Sequence, residues 1–214
     1  MILGVDEAGR GPVIGPLVIA AVLVEEGQLQ RLEELGVRDS KRIPRPQRTA
    51  LAAEIRKFCH VFCKRIPPAA LDRASLTEVE LRVIAELIAA SIPPPEVIQL
   101  DAPVPPRAIP QFEKELRARL PRRLHGVKLL LENRADERYP AVSAASIVAK
   151  VKRDEAILRL HERYGDFGWG YPSEQKVREF LERWYREHGS FPACVRRKWR
   201  TAQRLLQPPR AEDR

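Results

Sequence analysis

The chain has 214 residues, enough to bury the core of one α/β domain and too few for two full domains. Lys and Arg number 38 against 29 Asp and Glu, a formal charge of +9, which points to a polyanionic partner. The three cysteines, Cys59, Cys63 and Cys194, form no CxxC pair, which argues against a zinc ribbon or a disulfide framework; they read as small buried hydrophobes in a reducing cytoplasm.

Met1 to Val5 is an apolar run that predicts a buried strand, and it delivers Asp6 and Glu7 into a loop containing Gly9, Arg10, Gly11, Pro12, Gly15 and Pro16. Ionised acids at the edge of a core are costly unless a cation or strong hydrogen bonds neutralise them. The bland alternative is a tight turn carrying two solvated acids. The glycine spacing fits neither the dinucleotide fingerprint nor a P-loop. Leu17 to Val24 reads as a second buried strand, joined to the first as a hairpin. The apolar run from Val13 to Val24 follows acids, contains Pro16 and is too short to span a bilayer. A cytoplasmic protein with no membrane partner is expected.

Gln28 to Leu35 predicts a short helix, and VRDSKRIPRPQR a surface loop that carries Lys41 and Arg42. Helical spacing over Arg48 to Phe58 is followed by a third strand, His60 to Ile66, with Cys63 facing inward. Leu76 to Ala90 is a helix closed by the prolines from Pro93, and Val97 to Leu100 a fourth strand ending in Asp101. A basic helix over Pro110 to Leu120 leads to a fifth strand, Val127 to Leu131, whose exit carries Glu132, Arg134 and Asp136. A long helix is predicted from Val142, capped by Ser143, with Ala144, Ala145 and Ala149 letting it lie close against the sheet. After the turn GDFGWGYPSE come basic helices over Ser173 to Glu187 and Cys194 to Leu206, and the ending QPPRAEDR is expected to fray.

Three apolar strands thus lead into acids. Oxygen donors without a Cys or His cluster select magnesium or manganese over zinc. In phosphodiester hydrolysis two such ions, about 3.5 to 4 Å apart, activate a water and stabilise the leaving oxygen. The four histidines are scattered, no G-x-S-x-G or HExxH occurs, and Ser143 and Ser146 inside a helix have no evident triad partners. Asp6 and Glu7 leave a regular strand on opposite faces, so they share a site only if the strand bends or ends there.

The string DEAGRGPVIGPLVIA, the DSK of 39 to 41, Asp101, the Ala-Asp pair at 135 and 136 before SAASIVAKVKRD, and the GYPS of 170 to 173 together resemble ribonuclease HII, the type 2 ribonuclease H family. The match runs from Ile2 to about Leu206, and the PVIGPLVIA and FPACVRRKWRT segments resemble its archaeal-type branch. The resemblance implies an α/β, ribonuclease H-like fold: a mixed five-stranded sheet flanked by helices over 1–172, with a small C-terminal helical lobe over 173–214. It implies a monomer that uses Mn2+ or Mg2+ to cut the RNA strand of RNA/DNA hybrids. It also implies cutting 5′ of single ribonucleotides in duplex DNA, with 3′-hydroxyl and 5′-phosphate products.

Carried over by position, the family's acids fall on Asp6, Glu7, Asp101 and Asp136, with Asp6 bridging the metals. Asp154 is the rival for the fourth place, but beside Lys152 and Arg153 in a helix it reads as an ion-paired acid. Gly9, Arg10 and Gly11 would meet the ribose 2′-hydroxyl, Tyr171 would stack on the adjoining sugar, and Lys41 and Arg42 would hold phosphates. Trp169 stands where the family commonly has serine. The competing reading is a non-enzymatic basic module that presents Trp169, Trp184 and Trp199 to nucleic acid.

Overall fold

The structure, a computed structural model, describes residues 1–37 and 43–206. The DSK segment, Lys41, Arg42 and the ending QPPRAEDR lie outside these residues. Five strands form one sheet: β1 (Ile2–Ala8), β2 (Leu17–Val24), β3 (His60–Ile66), β4 (Val97–Asp101) and β5 (Lys128–Glu132), in the order β3-β2-β1-β4-β5. β1 runs antiparallel to β2 and parallel to β4, and β4 runs parallel to β5. The helices are α1 (Leu29–Glu34), α2 (Arg45–Ile55), α3 (Pro68–Leu71), α4 (Leu76–Ala90), α5 (Ile109–Arg119), α6 (Pro140–Tyr164), α7 (Gln175–His188) and α8 (Arg200–Leu206). This is the mixed, helix-flanked sheet expected from the sequence. No helix among the described residues is long and apolar enough to cross a membrane.

The chain divides into two compact units. The first comprises residues 1–8, 18–65 and 76–152. All eight residues of β2 are buried, and Val18, Ala20, Val22 and Val24 share a core with Ala141, Ala144, Ala145, Val148 and Val151 of α6. The small side chains bring this helix against β1 so closely that a Cβ on Gly4 would fall on the backbone of Ala141. The second unit comprises residues 9–17, 66–75 and 153–214. Its core gathers Val13, Ile14, Ile157, Phe167, Phe180 and Phe191, with Trp169, Trp184 and Trp199 packed partly buried against it.

Four expectations change. The long helix begins at Pro140, whose fixed φ suits a first turn, so Ser143 lies inside it and its hydroxyl donates to the Asp136 carbonyl instead of capping. Cys63 is exposed, because β3 is an edge strand, whereas Cys59 and Cys194 are buried. The last helix starts at Arg200 instead of Cys194, since Val195 is engaged in a β-bridge with Ile14. β1 itself neither ends nor breaks at the acids: Asp6 and Glu7 pair with Ala20 and Ile19, and the strand runs on to Ala8.

The close approach at Gly4 leads to a stability prediction. Gly4→Val should lower the denaturant midpoint by an amount equivalent to about 1–3 kcal/mol or more, as overpacked cores do. Gly27→Ala, where a Cβ meets nothing within 4 Å, should stay within about 0.5 kcal/mol.

Candidate active site

The parallel pairing of β1 with β4 stops at Val5↔Leu100, one residue short of Asp6 and Asp101. Both acids therefore emerge at the same rim of the sheet. On the next strand Asp101 pairs with Glu132, and β5 then runs into a turn that carries Asp136. This turn is stitched to the exit of β4. The Ala135 N–H donates to Asp101 Oδ1 at 3.3 Å, and Asn133 Nδ2 donates to the carbonyls of Ala102 and Val104 at 2.9 and 2.8 Å. Arg134 adopts a left-handed conformation, φ 62°, and its guanidinium pairs with Glu137 at 2.7 Å. That uncommon backbone turns the chain so that Asp136 is buried at the rim while Glu137 faces solvent.

Asp6 is the acid most deeply affected by its surroundings. Burial pushes its carboxyl up to about 7, and the charge of Asp101 adds to the rise. A hydrogen bond with the Ser146 hydroxyl, the Glu7 N–H at 2.7 Å and the Lys150 ammonium pull the other way. Lys150 in turn donates to Ser146 Oγ at 2.9 Å. Ser146, which the sequence offers only as a serine without triad partners, and Lys150 lie one turn apart on α6 and join the surroundings of Asp6. Their signal was an i, i+4 polar pair inside a stretch of small apolar residues.

In the first unit, then, Asp6, Asp101 and Asp136 are drawn to one rim, with Glu7 adjoining. Among the described residues no group of three or more His, Cys, Asp and Glu side chains is arranged to hold a metal ion. The donor set nevertheless fits magnesium or manganese: such ions are bound through one or two carboxylates, with waters and substrate phosphates completing the shell. A cation would also relieve the Asp6–Asp101 repulsion.

In the second unit Gly9 has φ 96°, and a Cβ there would lie 2.8 Å from the Cδ and Nε of Arg153. The guanidinium of Arg153 sits 5.2 Å from the Tyr171 ring centroid and donates to the Trp169 carbonyl at 2.6 Å. Arg153 thus joins the glycine loop to the tyrosine turn, a role hidden in the sequence behind its charged neighbours Lys152 and Asp154. The Val13 N–H adds a 2.8 Å bond to the Gly170 carbonyl. Tyr171 is 40% exposed, so core packing does not account for it. Gly11 is exposed and a Cβ on it would meet nothing within 4 Å, so the fold does not demand glycine there. Arg196, fully buried, donates from Nε to the Gly15 carbonyl at 2.9 Å and from Nη1 to the Arg10 carbonyl at 3.2 Å. Burial pulls its pKa down to about 9, with the Arg153 charge adding to the fall while Asp72 and Tyr171 oppose it.

The family model described as Ribonuclease HII matches residues 3–202. The chain belongs to the ribonuclease HII family. The ribonuclease HII of Thermococcus onnurineus is 42% identical over 205 residues, 94% of this chain and 88% of its own. A crystal structure of ribonuclease H2 from Pyrococcus horikoshii superposes with a TM-score of 0.87 at 38% identity, covering 95% of this chain and 96% of its own. A structure of the PCNA:RNase HII complex from Archaeoglobus fulgidus matches with a TM-score of 0.84 at 40% identity over the whole of both chains. Ribonucleases HII are ribonuclease H enzymes that act on RNA in RNA/DNA hybrids, and the family membership makes this chain such an enzyme.

The buried Asp6 gives a pH signature. Its folded pKa lies above the unfolded value of 3.8, so the folded state keeps a proton that the unfolded chain has lost. With chelator present, this group's stabilising contribution is complete below pH 4 and declines as pH rises to about 7, with a slope of up to about 1.4 kcal/mol per pH unit. Urea titrations across that window should show a steeper decline for the wild type than for Asp6→Asn. Parallel curves would mean that Asp6 does not titrate there.

Proposed function

We propose that this chain cuts both the RNA strand of RNA/DNA hybrids and the 5′ side of single ribonucleotides embedded in duplex DNA, leaving 3′-hydroxyl and 5′-phosphate ends. The observation that carries the chemical half of this reading is Asp6: a buried carboxylate, beside Asp101, that ionises with difficulty until a cation joins it. Asp6, Glu7, Asp101 and Asp136 would hold two divalent ions, Mg2+ or Mn2+. When bound, such ions supply Lewis acidity toward the attacking water and the leaving oxygen. Ser146 and Lys150 hold Asp6 in place and favour its charged form. Asp136, whose backbone carbonyl accepts the Ser143 hydroxyl, would handle a proton of the attacking water.

Recognition would fall to the second unit. Gly9, Arg10 and Gly11 offer backbone groups to a 2′-hydroxyl, and the bare Gly11 leaves room for a sugar to approach. Tyr171, steadied by Arg153, would stack on the neighbouring sugar. Lys41 and Arg42, outside the described residues, are assigned to phosphates by position alone. The chain would act as a cytoplasmic monomer. The competing binding module loses its platform, since Trp169, Trp184 and Trp199 all pack against the core of the second unit.

The primary test is an end-labelled DNA duplex with one ribonucleotide, incubated with Mg2+ or Mn2+ beside an all-DNA duplex and a chelated control. One metal-dependent cut 5′ of the ribonucleotide is expected, with the all-DNA strand intact; cleavage of both strands would remove the ribose-reading roles. Asp6→Asn and Asp101→Asn should each reduce turnover at least about a thousandfold while hybrid binding and folding persist. Tyr171→Ala should impair cleavage at a single ribonucleotide more than along continuous hybrid, and equal losses would count against stacking at the junction.

A further inference from the structure

We propose that a groove on the second unit, between the turn after α3 and the turn before α8, binds a phosphodiester of the substrate duplex. The proposal rests on the reading of the chain as an enzyme of RNA/DNA duplexes and adds a subsite to it. The groove has a volume of about 450 Å3 and is lined by Ala69, Asp72 and Arg73 on one side and by Ala193, Arg197 and Lys198 on the other. Arg73, Arg197 and Lys198 are exposed and bring three positive charges to a floor of alanine and valine side chains.

The one acid in the groove does not neutralise them. Asp72 instead spends its carboxylate on the backbone, accepting the Arg197 N–H at 3.0 Å and the Lys198 N–H at 3.1 Å. It therefore shapes the turn that presents the two cationic side chains. Elsewhere cations are commonly paired, as in Arg82–Glu86 at 3.2 Å, Arg117–Glu113 at 2.9 Å, Arg119–Glu78 at 2.7 Å and Lys176–Asp166 at 2.6 Å. Among the described residues, none of the three groove cations has an ion-pair partner. Three like charges around one groove repel, and an anion between them relieves the repulsion. Two guanidiniums and an ammonium suit a phosphodiester, because the planar fork matches its oxygens and the ammonium adds a point charge.

Arg196 gives the subsite its relation to the ribose-reading loop. It precedes Arg197 in the chain, and its buried guanidinium holds the carbonyls of Arg10 and Gly15. A phosphate in the groove is thereby held at a set offset from Gly9–Gly11 within the same unit. Such a contact positions the duplex and carries no base information.

The test compares the wild type with Arg197→Gln/Lys198→Gln and, from the facing segment, Arg73→Gln. All three keep the backbone N–H groups that Asp72 accepts, and thermal melts verify folding. Binding is measured with chelator on hybrid duplexes in which one linkage at a time is a neutral methylphosphonate. In the wild type one linkage position should cost roughly tenfold in Kd, the size of one charge-assisted contact. In the double variant that position should lose its penalty, and log K should fall less steeply with log salt, by about 0.9 per phosphate released. Arg73→Gln should move both readouts the same way, and it keeps the test valid if the double variant fails to fold. Identical linkage profiles in wild type and variants would overturn the subsite. So would a groove that takes inorganic phosphate while duplex affinity stays the same in every variant. Failure of the wild type to cleave would count against the nuclease reading alone, because the linkage scan is read without turnover.

Discussion

The burial of one carboxylate governs the acidic rim of the first unit. Asp6 is buried on β1 beside the wholly apolar β2, at the point where the parallel pairing with β4 runs out. Water is scarce there, and a second acid, Asp101, lies near enough to repel it. An uncompensated charge in such a place costs several kcal/mol. The surrounding groups can be understood as responses to that cost: a serine and a lysine on α6 and an amide from Glu7. The glycine at position 4 belongs to the same arrangement, since only a close helix can bring Ser146 and Lys150 to the acid.

The second unit meets a different problem. Its glycine and proline loop has few side chains with which to anchor itself, and Pro12 and Pro16 lack backbone donors. Two buried arginines serve in their place. Arg153 fills the space above Gly9 and reaches the carbonyl of Trp169; Arg196 gathers the carbonyls of Arg10 and Gly15. Arginine suits this work because its planar fork satisfies several carbonyls at once and stays charged even with its pKa pulled to about 9.

Much of this was legible in the linear sequence. Apolar runs located the strands and helical spacing the helix Leu76–Ala90, and the runs that end in acids marked Asp6, Asp101 and the exit of β5. What escaped had non-local causes. Ser143 has a helix-capping side chain, yet its hydroxyl finds a carbonyl from another turn, Asp136, seven residues back. Arg153 looked like one charge among several because its partners, Gly9, Trp169 and Tyr171, are far away or later in the chain. The second unit is assembled from three separated segments, which no local periodicity announces. Cys63 faces outward because edge position in a sheet is a property of strand order, which the sequence of a single strand does not carry.

That outward cysteine has a practical side. Burial pushes the thiols of Cys59 and Cys194 up to about 12, which keeps them protonated and unreactive at neutral pH, whereas Cys63 stands open on the edge strand. A thiol-seeking dye or crosslinker therefore meets one accessible partner per chain, on the first unit and away from the acidic rim in strand order. The molecule comes with its own labelling point, and oxidation at that point would couple two copies of the chain instead of closing a loop within one.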